Sequence, residues 1–232
     1  MIASRWKLFL EWGSILSLAA CVYWIFMLTP IETSQGFAQK IMYLHVPTVI
    51  VTYLAFFIVF AFSIAYLWKR DLMFDRIAKS SAEIGLLFCA LVLISGAVWG
   101  RPTWGTYWVW DARLTTTLLL FLIFMGYFLL RMSTEDRDKE SRLAAVIGII
   151  GFLDIPIIHK SVEWWRTIHQ PTTLFKTEDG MGKPSIPDEL LYPLLATMMA
   201  MLLFYLFLVQ LRYRMETSQD ELKQLMAQDR MD

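Results

Sequence analysis

Residues Val46–Trp68 read VPTVIVTYLAFFIVFAFSIAYLW, 23 positions without a charge. Crossing ~30 Å of hydrocarbon at ~1.5 Å per residue takes roughly 20 residues of helix, so the run is long enough to span a bilayer. Lipid offers no partner for free backbone groups, which predicts helix rather than strand. Five further blocks qualify, at about 10–29, 84–101, 114–131, 143–159 and 189–210. The 232-residue chain is 57% hydrophobic and 18% charged, too apolar for a protein whose surface faces water. No internal repeat divides it. The predicted fold is all-α and membrane-integral: one domain over residues 1–232, a bundle of six transmembrane helices.

Orientation follows from Lys and Arg. Fourteen fall in the N-terminus, the second and fourth loops and the C-terminal tail, and seven in the other loops. Both termini are therefore expected in the cytoplasm. The outer loops are then about 30–45, 102–113 and 160–188, with short helices expected on that face. Leu18-Ala19-Ala20-Cys21 resembles a lipoprotein cleavage site, but Val22-Tyr23-Trp24-Ile25-Phe26-Met27-Leu28 continues without a charge, so an uncleaved first span is expected. Cys21 and Cys89 lie inside apolar blocks and read as small buried residues, without a CxxC pair. Formal net charge is zero, which gives no sign of a nucleic-acid partner.

His45, His159 and His169 all fall on the outer side or at its edge. So does Trp99-Gly100-Arg101-Pro102-Thr103-Trp104-Gly105-Thr106-Tyr107-Trp108-Val109-Trp110-Asp111, with four Trp in twelve residues. Isolated tryptophans at span edges are interfacial anchors; this density exceeds what anchoring needs. In a helical stretch Trp104, Trp108 and Asp111 would share a face. Such a platform offers flat apolar surfaces and indole N–H donors to a planar, amphiphilic ligand. His45 stands just before the second span, with Pro47 at a first-turn position where the helix dipole favours the neutral, metal-binding imidazole. If 161–170 is a short helix ended by Pro171, Trp165 and His169 share its face beside Arg166.

Two imidazoles from different loops, aromatic walls and nearby Arg side chains describe a heme site. Iron accepts histidine on both faces of the macrocycle, and Arg101, Arg113 and Arg166 are candidate partners for the propionates. Asp154, beside Pro156 in the fifth span, is read either as a structural hydrogen-bonding group or as a functional one. His159 is a weaker ligand candidate.

Trp104-Gly105-Thr106-Tyr107-Trp108-Val109-Trp110-Asp111-Ala112-Arg113-Leu114-Thr115 resembles the tryptophan-rich motif WGxxWxWDxRLT of the heme-handling proteins of cytochrome c biogenesis. Six spans, one His before the second and one in the last outer loop are most similar to the small branch of that family, the cytochrome c maturation protein C type. The resemblance covers nearly the whole chain. It implies a bacterial inner (cytoplasmic) membrane location with the site on the periplasmic side. It also implies that His45 and His169 are the axial ligands and that Trp104–Asp111 cradles the porphyrin. The cargo would be heme b (iron protoporphyrin IX), bound transiently and passed to a periplasmic heme chaperone, cytochrome c maturation protein E. The implied company is an ATP-binding cassette exporter pair (maturation proteins A and B) and a small single-span protein (maturation protein D).

Two other classes compete. A resident bis-His membrane cytochrome would keep its heme for electron transfer, and such proteins usually ligate from inside the spans. A permease subunit of a heme transporter would need a separate ATPase, because the chain has no GxxxxGK[ST] loop; the basic inner-face clusters could dock one. No nucleophile–base pair or nicotinamide fingerprint points to a side-chain-catalysed enzyme.

Overall fold

A computed structural model describes residues 2–134, 136–165, 167–169 and 186–229. Among them are six long helices: α1 (Ile2–Tyr23), α2 (Met42–Lys69), α3 (Leu72–Trp104), α4 (Ala112–Ser133), α5 (Arg137–Trp164) and α6 (Asp188–Gln228). All six are long and apolar enough to cross a membrane. Their outward faces carry Phe57, Ile64, Leu87, Ile94, Leu122, Leu129, Ile150 and Leu153, all exposed. Helices that are apolar all round suit lipid rather than water as solvent. The chain is a multi-pass membrane protein.

The helices outrun the apolar blocks because polar caps set their ends. Asp71 accepts the Met73 N–H to start α3, Asp111 the Leu114 N–H to start α4, and Asp136 the Asp138 and Lys139 N–H groups to start α5. Each satisfies backbone donors that have no partner within the helix. Between α2 and α3 the chain turns on two residues, Arg70 in the left-handed region at φ 58° and the extended cap Asp71. Helix α1 ends in a π-helical turn, Trp24–Leu28, and a 3₁₀ helix, Phe37–Ile41, leads into α2. The buried Lys40 Nζ donates to the Ile25 and Thr29 carbonyls, satisfying the open end of α1 with a cation.

Helix α2 is central, packing on α3, α5 and α6, while α4 lies on α5 and α1 on α6. Phe56 of α2 stacks on Phe124 of α4 at 3.7 Å between ring centroids. Close approach depends on small residues: a Cβ at Gly148 of α5 would stand 2.8 Å from Val59 Cγ1, and such contacts drive helix association where lipid supplies no hydrophobic force. At the end of the bundle opposite the histidines, Arg131 of α4 is 4% exposed and reaches Asp75 of α3, Glu140 of α5 and its own Tyr127 hydroxyl. Arg76 and Arg137 meet Asp220 of α6, Lys79 meets Glu216, and Arg212 meets Glu83. Much of the basic cluster considered above as a docking face is thus paired within the chain.

Three local expectations are corrected. His45 does not precede α2 but sits in its first turn, because the 3₁₀ lead-in starts the helix at Met42; Pro47 is its sixth residue. Residues 105–111 are not helical, so Trp104, Trp108 and Asp111 share no helix face: α3 stops at Gly105, φ 81°, and α4 starts only at Asp111. Helix α5 ends at Trp164 with Trp165 extended, so Trp165 and His169 do not share a helix. Arg166 and Pro171 lie outside the described residues.

Candidate functional site

At one end of the bundle α2, α3 and α4 enclose a cavity of about 400 Å³, within the range of small-molecule pockets. His45 and Tyr53 enter from α2, Gly96 and Trp99 from α3, and Arg113 from α4. Trp104, at the end of α3, and Trp108 and His169, on the loops, close it, and His159 and Cys89 also line it. His45, Val49 and Tyr53 recur every four residues, one stripe of α2.

The His45 ring is fixed from α3. Its Nδ1 lies 2.9 Å from the Ser95 hydroxyl. Ser95 donates to the Leu91 carbonyl at 2.6 Å, so toward the ring it is an acceptor and Nδ1 carries the hydrogen. Nε2 is left as the nitrogen able to bind a metal. Trp99 meets the ring edge-on at 5.7 Å, and its indole N–H donates to Gln35 at 3.0 Å. Gly96 makes the slot, since a Cβ there would stand 3.1 Å from His45 Cε1.

His169 comes from the segment after α5. Its Nδ1 lies 3.4 Å from Asp111 Oδ2, and the Trp104 ring stands edge-on at 4.6 Å. Burial and the nearby Arg113 hold this imidazole below its ordinary value of 6.5, and the Asp111 carboxylate works in the other direction. The ring is neutral at pH 7, the form that binds metal.

The tryptophan loop hangs between two anchors. Gly105 supplies the left-handed turn that ends α3, a conformation that costs a side-chain residue about 1 kcal/mol or more. Thr106 Oγ1 accepts the Trp108 N–H at 3.3 Å, and its hydroxyl donates to the Trp108 carbonyl at 3.0 Å. Trp108 faces the cavity, its indole nitrogen buried without a hydrogen-bond partner among the described residues. Such an orphan donor suits a ligand acceptor. Trp110 packs on Trp108 at 5.5 Å but is 76% exposed and does not line the cavity.

The sequence-level candidates therefore separate. His45, His169, Trp99, Trp104, Trp108 and Arg113 surround one space, and Asp111 lies behind His169. Trp165 is half-exposed against Trp164, away from the cavity. Arg101 turns to the Gly105 carbonyl and the Tyr107 ring. Asp154 is buried, with Oδ2 unpartnered among the described residues. Tyr53, beside Arg113, went unflagged at the sequence level although its two-turn spacing from His45 was there to read. Ser95, Gly96 and Gln35 carry no such signal, being 50 and more positions from their partners.

The fold and the cavity define a multi-pass, six-helix membrane protein with a tryptophan-walled pocket at one end of the bundle, lined by His45, His159 and His169. Residues 1–228 match the family model described as heme exporter protein C. The chain belongs to the heme exporter protein C family. It is 41% identical over 185 residues to heme exporter protein C of Bradyrhizobium diazoefficiens, covering 78% of this chain and 67% of that one. The Haemophilus influenzae protein of that name is 37% identical over 212 residues, 90% and 84% of the two chains. That of Escherichia coli strain K12 is 39% identical over 170 residues, 71% and 69%.

Proposed function

We propose that this protein handles heme for cytochrome c biogenesis: it binds heme between His45 and His169 and delivers it to a periplasmic heme chaperone. The observation that carries the reading is that two of the three imidazoles lining one cavity, those of His45 and His169, each have Nδ1 engaged by the protein and Nε2 left for iron. The residues suit the group. Trp104 and Trp108 offer flat walls for a porphyrin, the Trp108 N–H lacks an acceptor among the described residues, and Arg113, on the cavity lining, would meet a propionate. Family membership supports the same role.

In this reading the protein's own groups ligate, stack against and orient the heme, so it is a transfer protein rather than an enzyme. Heme b is cargo, held by two axial nitrogens and stacking. The pocket opens on the periplasmic side of the bacterial inner membrane, with both termini in the cytoplasm. The partners are cytochrome c maturation protein E, the ATP-binding cassette pair A and B, and the small protein D. One observation favours a resident cytochrome instead: His45 lies within α2, not ahead of it.

The test is an absorption spectrum of detergent-purified protein, oxidised and reduced. Sharp low-spin bands are expected, lost in both His45→Ala and His169→Ala, with cytochrome c production abolished. Normal maturation in both variants would overturn the site. Heme that is bound but never recovered on a co-expressed chaperone would make the protein a resident cytochrome.

A further inference from the structure

The two imidazoles are mounted differently, and we propose that Ser95 and Asp111 are positioning residues on two unequal axial ligands: Ser95 fixes His45, the retained one, and Asp111 supports His169, the releasable one. This rests on the heme reading above.

His45 is part of a helix, and its ring is gripped by the helix beside it. Ser95 Oγ holds Nδ1 at 2.9 Å and is itself anchored to the Leu91 carbonyl. Trp99 closes on the ring edge, and Gly96 leaves the ring room that a Cβ, 3.1 Å from Cε1, would crowd. His169 is on irregular chain beyond the end of α5. Among the described residues its ring is tied by one long contact, 3.4 Å to Asp111 Oδ2, and by the edge of Trp104. The neighbouring Ile168 N–H donates to the same carboxylate oxygen at 3.3 Å, so Asp111 organises the local chain as well as the ring.

The two partners also differ chemically. A hydroxyl that accepts from Nδ1 orients an imidazole. A carboxylate orients it and makes Nε2 a stronger donor, which is how outer partners tune metal-bound histidine. Asp111 thus strengthens the ligand with the weaker mounting. In release the Fe–Nε2 bond to His169 breaks first, its electron pair returning to the imidazole. An incoming donor takes the vacated position while His45 still holds the opposite face.

Carbon monoxide reads this order directly. It binds a ferrous, doubly ligated heme only after one imidazole leaves, so at saturating CO the rate is that of the weaker ligand's departure. The full-length protein is loaded with heme in detergent, reduced and mixed with CO. Asp111→Asn is expected to raise the rate roughly tenfold, the low end for losing an outer partner, and to raise the midpoint potential. Asp111→Glu keeps the charge and should stay nearer wild type, whereas helix capping alone would favour Asn over Glu. Ser95→Ala should accelerate CO binding much less and show instead as heme lost during purification, recovered in Ser95→Thr. The assignment is overturned if Ser95→Ala accelerates as much as Asp111→Asn, or if Asp111→Asn leaves both rate and potential at wild-type values. If His45→Ala and His169→Ala each keep a low-spin spectrum, the heme site itself fails, a result visible before CO is added.

Discussion

Asp111 and His169 meet across two loops: Oδ2 of the carboxylate lies 3.4 Å from Nδ1 of the ring, while Oδ1 accepts the Leu114 N–H at 2.8 Å and starts α4. One side chain thus ends the tryptophan loop, begins a helix and reaches a candidate ligand.

Because Asp111 is 8% exposed and serves as a cap, Asp111→Ala should cost about 0.5–2 kcal/mol of stability. Asp111→Asn should cost less, since Asn caps equally well. Thermal unfolding in detergent checks this; equal losses in the two variants would place the energy in the His169 contact rather than in the cap.

The lowered His169 value sets a pH dependence. Between 6.5, its ordinary value, and the lowered one, the unfolded chain binds a proton that the folded chain does not. Stability from this group is therefore complete above 6.5, falls as pH drops below it, and levels off beneath the lowered value. Arg113 and Asp111 are the charges facing the ring, and only Asp111 opposes the shift. Asp111→Asn should extend the decline to lower pH. Thermal midpoints across the range read it, and no decline below 6.5 would contradict the shift.

Arg131 and Asp75 are 4% and 2% exposed. Breaking such a pair costs about 3–5 kcal/mol, since a charge is left buried alone. Asp75→Asn or Arg131→Met should each lower the unfolding midpoint sharply. The double variant should recover part of the loss, and a strictly additive double would show that the two act separately.

Trp104 and Trp108 wall the cavity, and Trp110 faces out of it. Aromatic contacts contribute about 1 kcal/mol each beyond area burial, so Trp104→Ala and Trp108→Ala should weaken heme retention partly. Trp110→Ala should spare retention and reduce the heme recovered on a co-expressed chaperone. Should Trp110→Ala lose heme as readily as Trp108→Ala, the outward tryptophan has no separate role.

Alkaline phosphatase fusions after residues 35, 107 and 175 should be active, and those after 75, 137 and 220 inactive. An active fusion at 137 would reverse the bundle and move the pocket to the cytoplasmic side.

The sequence by itself determined the six helices, because uninterrupted apolar runs such as Val46–Trp68 have one stable form in lipid. It also singled out His45, His169 and the tryptophan motif, whose chemistry and density exceed what anchoring requires. It misjudged how these residues are carried. Local spacing suggested helices through Trp104–Asp111 and Trp165–His169, but Gly105, Asp111 and the end of α5 cut them short. Only tertiary structure decided that Ser95 and Gly96 grip His45, that Asp111 reaches His169, and that Trp110 and Trp165 stand apart. Those relations join residues 50 or more positions apart. They depend on how α2, α3 and α4 pack and on where capped helices end, which no pattern within a single segment encodes.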